Sequence, residues 1–280
     1  MEPIITIIIL ATLIIATITD LKTREVPNWI TYSLIFAGLG IRAIYSLVYS
    51  DVAFIIQGVF GFSVFLALAY SLFYAGQWGG GDSKLLMGLG ALIGLKFNVD
   101  SFLIHFLINI LLIGAVYSII YSFVLTLLNP RRVLKKIRII LGKQRIIITK
   151  KIIHFSVAIL LFLAFFFEPI QGMAFVILGL MLFTMFYLWV FIKAVETTCM
   201  LKLLPVSALT EGDWIVKNIV IKGKQIVGPK DLGISLTQIN QLKKSNIKRV
   251  LVKQGIPFVP SFLIGFIITL IYGNLFFLLI

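Results

Sequence analysis

The sequence is poor in sulfur, histidine and acid. Its 280 residues include one cysteine, Cys199, two histidines, His105 and His154, and 11 acidic side chains. A single cysteine excludes a disulfide framework and any multi-cysteine zinc site. The histidines lie far apart, inside or beside apolar runs, and read as structural or interfacial. No His/carboxylate cluster has metal-ligand spacing, so neither a metal nor another cofactor is expected. Charge as a whole is scarce: 13% of residues are charged against 60% hydrophobic, with a mean hydropathy of +1.08. A soluble domain carries nearly twice that share of charge. Apolar runs approaching the roughly 20 residues a bilayer demands recur along most of the chain. The sequence therefore predicts an all-α polytopic membrane protein of about eight transmembrane helices (six to eight), with a small α+β cytoplasmic module near the C-terminus.

What charge there is has one sign. A formal net charge of +14 could point to nucleic acid. However, no aromatic-plus-basic platform accompanies it, and the cations collect between apolar runs. The positive-inside rule accounts for them without a polyanionic partner. The expected spans are Pro3 to Thr19, Trp29 to Val48, Val52 to Ala75, Leu85 to Leu95, Ser101 to Leu128, Phe155 to Phe167, Ile170 to Val195 and Phe258 to Leu279. Met1 to Thr19 has no basic n-region and no small-residue cleavage site, and reads as a retained first helix.

The chain then divides into a membrane domain, 1–128, that carries both candidate aspartates. A basic amphipathic segment follows at 129–153, then membrane helices at 154–195, a cytoplasmic α+β module at 196–256 and a last span at 257–280. The basic segment holds nine Lys/Arg and no acid, interleaved with Ile and Leu, and reads as lying on anionic lipid. Within the module, Trp214 to Ile221 and Arg249 to Val252 read as strands, and Ser235 to Gln238 as a capping box opening a helix. With the N-terminus outside, 23 of the 25 basic residues fall on the cytoplasmic side. That orientation places Asp20 and Asp82 at the cytoplasmic face.

Asp20 closes the first apolar run, and Asp82 follows the triplet Gly79-Gly80-Gly81, where three glycines allow unusual backbone angles and very close approach of another chain. An ionisable group at the edge of an apolar span is a functional candidate when a partner can be named. Two close carboxylates do not ionise together readily and share a proton. One then serves as general base on a water while the other hydrogen-bonds the carbonyl under attack. Helix ends suggest Asp82 as the anion and Asp20 as the acid. The bland alternative is that each aspartate is a cap or interfacial charge; this has more weight for Asp20 than for Asp82.

Gly79-Gly80-Gly81-Asp82-Ser83-Lys84-Leu85 resembles the GxGD signature of the type IV prepilin peptidase family of membrane aspartyl proteases, which includes the archaeal preflagellin peptidases. Asp20-Leu21-Lys22-Thr23-Arg24-Glu25-Val26-Pro27-Asn28 is similar to that family's first motif: an aspartate, one or two basic residues, then aliphatic-Pro-Asn. The two motifs also stand in the family's order and separation, and the resemblance covers roughly residues 3 to 125. It implies removal of short basic leader peptides from prepilins or preflagellins at the cytoplasmic membrane face, with Asp20 and Asp82 as the catalytic pair. Gly79, Gly81, Lys84, Lys22, Arg24, Pro27 and Asn28 are the surrounding motif residues.

Many bacterial relatives add a paired-CxxC module linked to N-methylation, which one cysteine does not supply. An extra cytoplasmic module is a feature associated with archaeal members. Presenilin-like proteases pair GxGD with Tyr-Asp and Pro-Ala-Leu elements that do not occur here. A transporter or channel would use glycine-broken helices and acids as an ion site, but near the midplane and usually with internal repeats. An inactive membrane scaffold is a third class, against which both carboxylates count. Glu211-Gly212-Asp213-Trp214 reads as an exposed turn; Glu25, Glu211 and Asp213 are candidate partners for leader lysines. Arg42, inside the second span, should snorkel outward or find a hydrogen-bond partner.

Overall fold

The computed structural model describes residues 2–96, 98, 101–221, 223–245 and 247–275. The chain divides into two compact units, 1–118 with 203–280, and 119–202. In the first unit, helix α1 (Pro3–Thr23) opens on proline at its first position, where the missing N–H costs nothing. It stops because Arg24 turns left-handed, with φ 60°, and returns its N–H to the Asp20 carbonyl at 2.8 Å. Pro27 then starts α2 (Asn28–Val48), followed by α3 (Ala53–Tyr74), α4 (Gly80–Ile93), the start of α5 (Phe102–Leu128) and, at the far end of the chain, α10 (Val259–Tyr272).

The second unit holds the end of α5, then α6 (Pro130–Leu141), α7 (Gln144–Leu163) and α8 (Pro169–Cys199). Among the described residues, six helices are long and apolar enough to cross a membrane: α1, α2, α3, α5, α7 with its short extension to Phe166, and α8. The other two expected spans are helices of 14 residues each, α4 and α10. At 1.5 Å per residue each is about 21 Å long, short of the roughly 30 Å hydrocarbon layer. The expected remainder of the last span, beyond residue 275, lies outside the described residues.

The basic stretch at 129–153 comprises α6 and the first turns of α7. Its second half continues without a break into the apolar part of α7, so that Arg145, Lys150 and Lys151 ride on the first turns of a membrane helix. Gly142 and Lys143 separate the two helices.

The module comprises β1 (Leu201–Pro205), β2 (Trp214–Ile215), β3 (Ile219–Ile221), β4 (Lys224–Val227), α9 (Leu236–Lys243) and β5 (Arg249–Lys253). One sheet has the order β1-β5-β2, with Trp214 opposite Lys253 and Ile215 opposite Val252; β3 and β4 form a separate antiparallel pair. The single strand expected over Trp214 to Ile221 is thus two strands in different sheets. The chain leaves β5 after Val216 donates to the Leu251 carbonyl, and Ile219 pairs instead with Val227. Ser235 and Gln238 form the expected reciprocal cap of α9. Val206, Ile215, Val227, Ile239, Leu242, Val250 and Val252 fill the module's own core.

Helix α4 is enclosed between α2 and α3, and glycine makes this possible. A Cβ on Gly90 would lie 2.6 Å from the Gly61 carbonyl of α3, and one on Gly88 would meet Leu34 of α2 at 2.9 Å. At the far end of α4, Arg42 is 6% exposed and donates to the Leu92 and Phe54 carbonyls at 3.0 Å each and to the Ile93 carbonyl. The expected partner of Arg42 is therefore the C-terminus of α4. Replacing it by a group that cannot donate leaves buried carbonyls unpaired, at about 1–3 kcal/mol each. Arg42→Met should lower the thermal unfolding midpoint of the detergent-solubilised protein sharply, with Arg42→Lys intermediate; equal midpoints for all three would show that these bonds stabilise nothing.

Candidate active site

Four stretches of the first unit meet at one place: the end of α1, the 24–28 link, the start of α4 and the residues leading into α10. Asp20, on the last turn of α1, is 5% exposed. Its Oδ2 accepts the N–H of Val259, the first residue of α10, at 3.0 Å. Asp82 is the third residue of α4 and half-buried, and its Oδ2 accepts the Gly79 N–H at 3.3 Å. So Asp82 does serve as a cap for its own helix. The two carboxylates are also near enough to repel one another.

The links between these stretches are made by the motif residues. A Cβ on Gly81 would sit 3.2 Å from the Val26 backbone nitrogen, so a side chain there requires its neighbour to give by a few tenths of an ångström, and the two motifs lie in close contact. Lys84 donates to the Asn28 side-chain oxygen at 2.8 Å and lies 5.4 Å from the Tyr32 ring centroid. Arg24 donates to the Gly255 carbonyl. Buried Trp78 packs on Phe258 and Phe262, with ring centroids 5.4 and 5.3 Å apart. Pro27 starts α2 as its cap, Gly79 does the same for α4, and Lys22 is exposed on the last turn of α1.

Of the residues singled out from the sequence, Asp20, Arg24, Asn28, Gly79, Gly81, Asp82 and Lys84 share this one neighbourhood. Glu211 and Asp213 instead form a turn of the module, in which Asp213 accepts the Thr210 N–H at 2.9 Å and Gly212 has φ 94°. The sequence reading missed the contribution of Gly255 to Val259. A signal was there: Pro257 and Pro260 mark the start of a helix, and a helix N-terminus offers free N–H groups to an anion. This contact also removes the ground for dividing the roles by helix end. Asp20 lies at the C-terminus of its own helix but takes an N–H from the N-terminus of another.

Residues 7–125 match the sequence model of the type IV leader peptidase family. The matched stretch contains both aspartates, all of α1 to α4 beyond the first few residues, and most of α5. The chain is 42% identical over 87 residues to a preflagellin peptidase of Methanocaldococcus jannaschii, covering 31% of this chain and 36% of that protein. It is 37% identical over 81 residues to a preflagellin peptidase of Methanococcus maripaludis, covering 29% and 35%. A preflagellin peptidase of Methanococcus voltae is 38% identical over 81 residues, covering 29% and 34%. The likeness thus spans about a third of the length of these curated relatives. The leader peptidase stretch carries the aspartates, whereas α6 to α8 lie beyond it.

The approach of the two motifs is testable without any assay of function. The Val26 Cβ lies 3.3 Å from where a Cβ at position 81 would stand, close to the separation a disulfide spans. In a Cys199→Ser background, Val26→Cys combined with Gly81→Cys should oxidise to an intramolecular disulfide, read by mass and by a mobility shift reversed with reductant. Failure to cross-link under catalysed oxidation, with both thiols shown to be labelled by maleimide, would mean the motifs do not meet.

Proposed function

We propose that this protein is a membrane aspartyl endopeptidase that removes short basic leader peptides from precursors of the preflagellin or prepilin kind, with Asp20 and Asp82 as the pair that activates water. The observation that carries this reading is the meeting of two carboxylates from different helices at the N-termini of α4 and α10. Both sit within the stretch that matches the leader peptidase family, and the curated relatives named preflagellin peptidase give the substrate class.

In the proposed reaction, the carboxylate of the pair that is ionised takes a proton from water as the water oxygen attacks the scissile carbonyl. The other, protonated, donates its hydrogen bond to the developing oxyanion. Collapse of the tetrahedral intermediate breaks the C–N bond, and the leaving nitrogen takes the proton the base acquired. The pair titrates as a unit, so the roles are assigned to the pair and not to either aspartate. Lys84 holds the first motif against the second through Asn28, and Arg24 holds the α10 approach through Gly255; both position the pair. The positive charge of the intervening loops argues for the cytoplasmic face, where a leader would be met before export.

A cleavage assay in membranes with preflagellin and prepilin substrates tests this reading. Asp20→Asn and Asp82→Asn should each reduce leader removal by about a thousand-fold or more while inserting normally. If the wild type cleaves and only Asp82→Asn fails, Asp20 is not the partner. Intact substrates with the wild type would remove the peptidase reading.

A further inference from the structure

Helix α6 lies outside the leader peptidase match and plays no part in the proposed reaction. Its sequence, Pro130-Arg-Arg-Val-Leu-Lys-Lys-Ile-Arg-Ile-Ile-Leu141, separates into two sides at 100° per residue. Val133, Ile137 and Ile140 form one side; Val133 and Ile140 are buried and Ile137 half-buried, and the helix packs against α8 of the same unit. Arg131, Arg132, Lys135 and Arg138 form the other, and all four are exposed. Ile139, 49% exposed, sits among them, and Leu134, 54% exposed, sits at their edge.

Two features fix what such a surface meets. First, α6 is tied at both ends to membrane helices: one residue separates it from α5 and two from α7. Its reach from the bilayer is therefore limited. Helix α5 has 27 residues and α8 has 31, so they run to about 40 and 46 Å, some 10–16 Å longer than the hydrocarbon layer. That excess is about the depth of the two headgroup layers together. Second, no acidic residue occurs from 101 to 167, so α6 and the two helices joined to it carry no carboxylate of their own, whereas α8 does. The ion pair identified among the described residues is Lys193 with Glu196, at 2.9 Å on α8.

We propose that the outer side of α6 is a docking surface for anionic lipid headgroups. Arg131, Arg132, Lys135 and Arg138 hold the phosphates, and Leu134 and Ile139 enter the boundary between headgroups and acyl chains. Aliphatic stems of Lys and Arg beside exposed leucine and isoleucine suit an interface that is apolar on one side and anionic on the other. A soluble acidic partner would not require the two aliphatic side chains.

The test uses the full-length protein. Purified in mild detergent, it is titrated with phosphatidylglycerol or phosphatidylcholine, and native mass spectrometry reads the lipids retained. The wild type should retain the anionic lipid in preference. A variant combining Arg131→Gln, Arg132→Gln, Lys135→Gln and Arg138→Gln should lose that preference by about ten-fold or more, since each surface cation adds to the attraction. A charge-matched control, Lys243→Gln, Lys244→Gln, Lys248→Gln and Arg249→Gln in the module, should keep it. Equal loss in both variants, or no loss in the first, overturns the proposal.

A second measurement stands if the quadruple variant fails to fold. In a Cys199→Ser background, Leu134→Cys carrying an environment-sensitive dye should blue-shift in phosphatidylglycerol vesicles and not in phosphatidylcholine vesicles. No difference between the two vesicle types overturns the proposal as well.

Discussion

The arrangement of the first unit depends on how two 14-residue helices, α4 and α10, end against buried polar side chains of their neighbours. A helix leaves its last carbonyls unpaired, and in a region without water those groups must find donors from the protein. Helix α4 ends against Arg42, which donates to the Leu92 and Ile93 carbonyls. Helix α10 ends against Asn109 of α5, whose amide donates to Thr269 Oγ1 at 2.8 Å and to the Gly273 carbonyl at 2.7 Å, and whose oxygen accepts the Leu275 N–H at 3.0 Å. Both side chains are buried. Each supplies donors to the last carbonyls of its short helix.

The opposite ends of these two helices are where the aspartates sit. Asp82 is on the first turn of α4, and Asp20 takes the first N–H of α10. Two partial positive charges thus converge on two carboxylates, at the only points where the short helices leave N–H groups free. The glycines serve the same end from the side. Gly61, Gly88 and Gly90 let α4 lie almost backbone to backbone with α3 and tight against α2, so that α4 cannot slide or roll without collision. A carboxylate mounted on such a helix is located by the packing of its whole length. Among the described residues, the hydrogen-bond partner of that carboxylate is the Gly79 N–H of its own helix start.

Much of this was legible in the sequence because it rests on local signals. Apolar run lengths gave the membrane class, Pro27 gave the break between α1 and α2, and the Gly79-Gly80-Gly81-Asp82 stretch marked the start of a helix. The Ser235/Gln238 spacing gave the cap of α9. What was not legible is what depends on tertiary partners. Nothing local to Val259 says that its N–H will meet Asp20, 239 residues earlier in the chain. Apolar character alone does not separate a span from an enclosed half-length helix such as α4. The strand expected over Trp214 to Ile221 divides around Lys217-Asn218, two residues of low β propensity, between the part that pairs with β5 and the part that pairs with β4. The junction of α6 and α7 was hidden because lysines and arginines on the first turns of a membrane helix read the same as those on a helix lying beside it.

The connection between the module and the two aspartates is short. Strand β5 ends at Lys253 and α10 begins at Val259, so the five residues between them join the module's sheet to the helix that holds Asp20. Arg24 grips that link at Gly255, and Trp78 clasps its end through Phe258. On the other side, the Trp214 ring of β2 lies against Gly76, in the turn that leads from α3 into the glycine triplet. The module therefore touches the approach to each aspartate, one through β5 and one through β2, and these two strands are neighbours paired at Trp214 and Lys253. A shift of β2 against β5 would change the approaches to both carboxylates together. The sheet fixes the relation between two segments that the membrane helices alone leave to packing, and this gives a physical reason for a module with its own core to be inserted just before α10.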